Sequence, residues 1–289
     1  MALAASTTTT QSSSTWSRVL TLSLQLIGLV LVWHVAAVQL ERPFLPPPTD
    51  VFITFLRELV GDTSWQALSE ITSPAAFGQA LVNTPPSGRL LSDTWASLQR
   101  IAISTFWGTV IAAPLAIAAA ANRTLDRLIS PLITLLYPAP KIVYLPIVIF
   151  FFGLGDPSII FLISLIIFFQ IYVIIRDSAA QVPTQTLDSM YALGASRWQT
   201  LLHVYLPVSL PAVMTALKIS IGTAIAVLFI AESLGNTDGL GYYINSLQLN
   251  RFAYTKVYAG IVAISLLGSV LFGVLTWLEH LSKRWQRPS

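Results

Sequence analysis

The sequence predicts an all-α integral membrane protein with six spanning helices, and three observations carry that expectation. Of its 289 residues, 54% are hydrophobic and only 10% charged, with a mean hydropathy of +0.70, whereas a soluble domain carries about a quarter charged residues. Six windows are apolar enough, over enough residues, to cross a hydrocarbon core of about 30 Å. None of them has a charged face, so spanning helices are expected rather than interfacial ones.

Taken in order, residues 1–17 are rich in Ser and Thr, lack a packing pattern and read as a disordered tail. Val19–Val38 is the first span. Arg18 alone precedes this long apolar run, which ends at Gln39-Leu40-Glu41-Arg42-Pro43 without a small-x-small cleavage site, so a retained span fits better than a signal peptide. The segment 39–98 is Pro-rich and reads as a partly helical cap, with an amphipathic stretch at Val51–Val60. An approach from Leu90 to Arg100 leads into the second span, Ile101–Ala121. Residues 18–98 thus form a first unit ahead of a core at 99–280.

The third span, Leu132–Phe152, is interrupted by Pro138, Pro140 and Pro146, and the fourth, Ile159–Ile175, is short. Prolines free backbone groups that lipid cannot satisfy, which sets the third span against protein or a water-filled cavity. Segment 176–209 is too long for a simple connection. Leu187, Tyr191, Leu193, Trp198, Leu201 and Leu202 give it a helical pattern, so it is expected to be a structured element at the membrane surface. The fifth and sixth spans are Leu210–Ala231 and Val257–Leu278, followed by a tail at 281–289. Gly108, Gly222, Gly260, Gly268 and Gly273 suit close helix packing.

Six spans put both termini on one side. With the N-terminus inside, the inner segments hold Arg18, Arg123, Arg127, Arg176, Arg197, Lys283, Arg284 and Arg287, against Arg251 and Lys256 in the short outer ones. The positive-inside rule therefore places both ends in the cytoplasm. The formal charge of +3 reports topology and is too dispersed for a nucleic-acid stripe.

Several function classes fall away. Without cysteine there is no disulfide framework, thiolate metal site or cysteine nucleophile, and His34, His203 and His280 have no metal-ligand spacing. No Gly-x-x-x-x-Gly-Lys-Ser/Thr loop occurs, so the chain is not expected to hydrolyse ATP itself. Asp126, Asp156, Asp177 and Asp188 fall at span ends or in loops, where solvated or capping roles are the default, and no catalytic pair is read.

Lys141 and Lys218 are the charges inside the spans. Lys141 lies about 13 Å into the third span at 1.5 Å per residue. Either it lines a translocation path and attracts an anion, or it snorkels. Tyr144, Gln170, Glu232 and Ser233 are further candidates for that path, although Gln170 also suits interhelical hydrogen bonding and Glu232 an interfacial carboxylate at the outer face. Lys218, nearer the start of its span, is expected to snorkel.

The stretch Asp188-Ser189-Met190-Tyr191-Ala192-Leu193-Gly194-Ala195-Ser196-Arg197-Trp198, continuing to Val204-Tyr205-Leu206-Pro207, resembles the signature of ABC importer permeases. That signature is a Glu-Ala-Ala triplet, a Gly four residues after its last Ala and a hydrophobic-x-Leu-Pro ending before the penultimate span. Gly194, Val204, Leu206 and Pro207 fall in register, with Asp188-Ser189-Met190 where the triplet usually stands. Tyr137-Pro138-Ala139-Pro140-Lys141, Phe152-Gly153-Leu154-Gly155, Leu210-Pro211, Ala231-Glu232-Ser233 and Gly239-Leu240-Gly241 extend the likeness to the branch serving sulfonates, taurine, nitrate, bicarbonate and vitamin precursors.

The resemblance implies the type I importer permease fold. Its coupling helix, carrying Asp188, Ala192, Gly194, Ala195, Ser196 and Arg197 and ending at Leu206-Pro207, would dock on an ATP-binding subunit that holds the ATP and Mg. It further implies a second permease copy and an extracytoplasmic substrate-binding protein, in the inner membrane, for import of a small anionic solute. Gly194 would allow close helix approach or a turn, and Pro207 and Pro211 would stop or kink the chain as it re-enters the membrane. The alternative, a secondary transporter driven by an ion gradient, should carry inverted repeats and intramembrane carboxylates, and neither is evident in the sequence.

Overall fold

The computed structural model describes residues 15–40, 42–62, 65 and 88–284. Most of the expected tail 1–17, residues 63–64 and 66–87 of the cap, and the end of the tail 281–289 lie outside the described residues. The described elements are α1 (Thr15–Leu40), α2 (Pro48–Val60), α3 (Arg89–Ala121), α4 (Arg123–Leu136), a 3-10 turn (Lys141–Tyr144), α5 (Leu145–Phe152), α6 (Asp156–Ala180), α7 (Thr184–Ala192), α8 (Arg197–Thr200), a π turn (Leu201–Tyr205), α9 (Leu206–Gly235), a second π turn (Tyr242–Gln248), a further 3-10 turn (Leu249–Arg251) and α10 (Tyr254–Arg284). Among the described residues, five helices are long and apolar enough to cross a membrane, and a sixth span results if a bent pair counts as one.

That pair is the predicted third span. It does not run straight from Leu132 to Phe152: α4 stops at Leu136, and the segment from Lys141 to Phe152 turns 88° away from it. Pro138 and Pro140 cannot donate backbone hydrogen bonds, so the helix is not continued through them, although Tyr137 itself still has helical dihedrals. Lys141 therefore opens a new segment at a corner rather than lying deep in a straight helix.

The core is built on α6. Ile159, Leu162, Ile163, Ile166, Ile167, Ile171, Tyr172 and Ile175 are all buried, on more than one face of the helix, so α6 is enclosed by its neighbours. Its closest companion is α3. There Ser104, Gly108, Ala112 and Ala116 recur every four residues and are buried, a stripe of small residues that lets the backbones approach. The approach is tight enough for side chains to bond the neighbouring backbone: Ser104 donates to the Ile160 carbonyl and Ser164 to the Ser104 carbonyl, each at 3.2 Å. Gly260 and Gly268 also make close contacts, whereas Gly222 and Gly273 face open space within this chain.

α9 packs on the other side of α6 and is covered in turn by α10. Lys218 does not snorkel. Its ammonium pairs with Glu279, which joins α9 to α10. α1 is the outlier, with most of its described side chains exposed, and the stacking of Trp33 on Tyr258 at 5.7 Å ties it to α10. α2 is the amphipathic stretch expected at 51–60. It is fastened to the start of α10 by Glu58, which pairs with Lys256 (2.6 Å) and accepts the Tyr243 hydroxyl (3.0 Å). Burial, with the Glu58 carboxylate beside it, pushes the Tyr243 phenol above its ordinary range.

Candidate functional site

Three groups of chemistry-bearing residues are distributed along α9, one at each end and one between. At the first end, α7 and α8 form a short helical hairpin. The Gly194 N–H donates to the Tyr191 carbonyl (2.9 Å) and the Ala195 N–H to the Met190 carbonyl (3.0 Å). Together these bonds close α7 with a Schellman motif around Gly194, whose φ is +81°. α8 then opens with a capping box. The Ser196 side chain accepts from the Gln199 N–H (3.2 Å) and the Gln199 side chain accepts from the Ser196 N–H (2.7 Å). A Cβ on residue 194 would meet nothing within 4 Å, so this glycine serves the turn and not a close approach within the chain.

Because the hairpin satisfies its own backbone, its side chains are left outward. Asp188, Ala192, Ser196 and Arg197 are exposed, as are Leu206 and Pro207 farther on, and Ala195 is half-buried. The apolar members stand out: Leu193 is 86% exposed, Trp198 66% and Tyr191 50%. Pro207 does not stop the chain. The helix runs on from Arg197 to Leu234, with the π turn 201–205 directly before this proline and Pro211 inside α9. A widened turn supplies the slack that a missing N–H would otherwise disrupt.

Between the ends lies a cavity of about 330 Å³, lined by Tyr137, Ala139, Pro140, Lys141, Ile142, Ile166, Gln170, Thr223 and Val227. No acidic side chain lines it. The bend after α4 carries Lys141 into its wall, where the ammonium donates to the Tyr137 carbonyl and lies over the rings of Tyr137 (5.0 Å) and Phe169 (4.9 Å). Gln170 donates to the Thr223 hydroxyl at 3.1 Å, linking α6 to α9. Tyr144 packs against the core outside this lining. Of the five residues picked from the sequence as path candidates, Lys141 and Gln170 meet here, while Glu232 and Ser233 do not.

Those two belong to the far end of α9, where Arg100 is the hub. Its Nε donates to Asp156 (2.7 Å), one terminal nitrogen to Glu232 (2.6 Å) and to the Asp238 carbonyl (3.3 Å), and the other to the Asp238 carboxylate. Both Glu232 oxygens accept from Ser97 at 2.9 Å, and one also accepts the Gly241 N–H at 2.9 Å. Asp93 accepts the Gly239 N–H (3.0 Å), and the Leu240 N–H reaches Ser97 (2.9 Å).

Arg100 and Glu232 are buried, 2% and 0% exposed. Glu232 is thus not an interfacial carboxylate; its oxygens are saturated inside the protein. Gly239, at φ +99°, wraps so closely that a Cβ would overlap the Glu232 carboxyl and the Arg100 guanidinium. Ser233 bonds the carbonyls of Phe229 (2.7 Å) and Gly241 (3.1 Å), within the same turn. Asp156 serves this knot, and Asp126 is held bidentately by Arg176 (2.8 and 2.6 Å), so neither aspartate is merely solvated.

Sequence reasoning missed Arg100, Ser97 and Asp93. The available signal was the polar spacing 93, 97, 100 and 104, one face of a helix, in a stretch otherwise read as an approach.

Residues 108–284 match the family described as "Binding-protein-dependent transport system inner membrane component". The taurine transport system permease protein TauC of Escherichia coli is 33% identical, over 93% of this chain and 91% of that protein. The formylaminopyrimidine transport permease protein ThiX of Halalkalibacterium halodurans is 28% identical, over 90% and 93%. The putative aliphatic sulfonates transport permease protein SsuC of Bacillus subtilis is 27% identical, over 69% and 72%. Among solved structures, an inward-facing form of the MetNI methionine ABC transporter shares the fold, with TM-score 0.57 and 21% identity, covering 67% of this chain and 95% of that one.

Proposed function

Since the chain belongs to the inner-membrane components of binding-protein-dependent transport systems, the permease subunits of ABC importers, we propose that it passes a small anionic solute of the sulfonate kind into the cell. In this reading the α7–α8 hairpin is the surface on which an ATP-binding subunit docks. The observation that carries it is the hairpin itself, capped at both helix junctions yet presenting Tyr191, Leu193 and Trp198 to the outside. A self-satisfied backbone with exposed aromatic and aliphatic anchors is the composition of a protein interface. ATP and Mg belong to the docked subunit, and this chain supplies the lever.

The lever is one helix. From Arg197 to Leu234 the chain is helical over 38 residues, about 57 Å at 1.5 Å per residue. A displacement of the hairpin is carried past Gln170 and Thr223 to the knot around Glu232. The hairpin faces the cytoplasm in this scheme, in line with the excess of Lys and Arg on its side. The knot faces outward, where a substrate-binding protein delivers the solute. A second copy of the chain completes the pathway, since Gly222 and Gly273 leave room beside α9 and α10 that this chain does not fill.

The anion preference is supported by the cavity, whose only charge is Lys141 and whose lining holds no carboxylate. The names of TauC and SsuC agree with that chemistry. Uptake by proteoliposomes holding the permease, its ATPase subunit and its binding protein tests the reading. ATP-dependent accumulation of a sulfonate, weakened by Lys141→Met, is expected. Uptake driven by an ion gradient without ATP would overturn it.

A further inference from the structure

Between α2 and the two long helices beside it, α1 and α10, lies a groove of about 580 Å³. Trp33, Val51, Phe52, Phe55 and Val262 line it, and apart from His34 and Thr49 the whole lining is aliphatic, proline or aromatic. His34 precedes the end of α1 at Leu40 by six residues, and Val262 follows the start of α10 at Tyr254 by eight, which is about 9 and 12 Å along the helices at 1.5 Å per residue. In a hydrocarbon core of about 30 Å, the groove therefore opens within the leaflet nearer to α2. Water there would find few polar partners, and a void would forfeit the contacts of its walls.

We propose that the groove is a phospholipid site, in which one acyl chain lies against Trp33, Phe55 and Val262 and Arg42 takes the phosphate. Size decides against a helix. One about 10 Å across would fill 580 Å³ within about 7 Å of its length, little more than a turn, so a span of a second copy does not fit. The volume suits one flexible chain and falls within the roughly 300–1,000 Å³ of small-molecule sites.

The remainder of this chain is badly placed to fill the groove. Residues 1–14 join α1 at Thr15, 19 residues before His34 and about 28 Å away, and a Ser/Thr-rich backbone does not thread hydrocarbon unpaired. The segment between Asp62 and Gly88 is rich in Ser, Thr and Pro and is anchored at the other end of α2. There the chain leaves at Gly61 and returns at Gly88, which packs on the backbone of Glu58 and Leu59. The groove uses Pro48 to Phe55 instead.

Charge points the same way. Arg42 is exposed in the turn that joins α1 to α2, two of the groove's walls, and a guanidinium matches phosphate with parallel N–H bonds. Asp50, the acid in the first turn of α2, lines a different cavity, with Arg57 and Lys256. A lipid held here fastens α1, which the Trp33–Tyr258 stack otherwise ties to α10.

The test is photolabelling of the full chain in liposomes with a phosphatidylglycerol carrying a diazirine in one acyl chain, the adducts being mapped by peptide mass spectrometry. Adducts on Trp33, Phe55 and Val262 are expected to exceed those on Leu29 and Val32 at least about tenfold. The latter two are 68% and 69% exposed on α1 and report passing bilayer lipid. Val262→Trp, or the milder Val262→Phe, should remove the groove adducts and leave those on Leu29 and Val32 unchanged. Arg42→Gln should weaken groove labelling about tenfold, the scale of a charge-assisted hydrogen bond. A diacylglycerol with the same chains, lacking the phosphate, should label wild type and Arg42→Gln alike.

Even labelling along α1 in wild type would overturn the site without recourse to any variant. Groove adducts that survive Val262→Trp would do the same. Equal labelling of the wild-type groove by phospholipid and diacylglycerol would overturn the role of Arg42. None of these outcomes touches the transport reading, which the site goes beyond and does not require.

Discussion

The helix from Arg197 to Leu234 ends in two opposite kinds of chemistry. At one end charged groups are buried: Arg100 and Glu232 lie out of reach of solvent, and each is saturated by hydrogen bonds. At the other end apolar groups are exposed, with Leu193, Trp198 and Tyr191 standing out from a hairpin that closes its own backbone bonds. A buried charge persists only where its partners are arranged around it, so the Arg100 end is complete within this chain. An exposed cluster of Leu, Trp and Tyr on a capped polar hairpin has no such completion. In the proposed reading, the Gly194 end is finished by another protein, the ATPase subunit.

The largest losses are expected at the Arg100 end. Arg100→Ala strands Glu232, and Glu232→Ala strands Arg100. Breaking a buried pair costs about 3–5 kcal/mol, so either variant should lose folded protein in a thermal melt in detergent. The double variant Arg100→Met with Glu232→Leu should recover much of the loss, since a well-packed apolar replacement removes both desolvation penalties. Single variants that melt like wild type would show that the knot holds nothing. Gly239→Ala comes next, at about 1–3 kcal/mol, from an unfavourable positive φ together with overlap on the Glu232 carboxyl.

At the Gly194 end the same chemical step has a different readout. Gly194→Val costs about 1–2 kcal/mol of left-handed strain, confined to the hairpin because the surrounding space is open. The melt should hardly move, while ATP hydrolysis loses its link to uptake. Gly194→Asn, tolerant of that φ, should retain coupling. Smallest in stability is Leu193→Ser with Trp198→Ser. These side chains are already outside, so the melting temperature should be unchanged, while affinity for the ATPase subunit falls at least about tenfold, as expected for interface anchors. A lowered melting temperature in that double variant would mean that the two residues pack within the chain.

Which parts were legible beforehand follows from how far apart the interacting residues are. The spans, the amphipathic α2 and the Pro-broken segment before Lys141 show in local pattern, because apolar run length, helical period and proline act over a few residues. The hairpin was readable from Gly194 and the periodic apolar residues beside it. The knot was not. Arg100 and Glu232 are 132 residues apart and Arg100 and Asp238 138, and each taken alone looks like a charge near a span end. Lys218 and Glu279, 61 apart, were misjudged for the same reason: a snorkelling lysine and an ion-paired one have the same local sequence. The 88° bend was visible as a break in the third span, but its angle depends on packing against α6 that no local pattern records.

The most direct test of hairpin docking is ATP-driven uptake by liposomes containing the permease, its ATPase subunit and a loaded binding protein, comparing wild type with Leu193→Ser plus Trp198→Ser. Wild type is expected to show uptake that stops without ATP, and the variant to stay folded in the membrane yet neither retain the ATPase subunit nor accumulate solute. Full ATP-driven uptake by the variant, or undiminished uptake by wild type under an ion gradient with the ATPase removed, would contradict it.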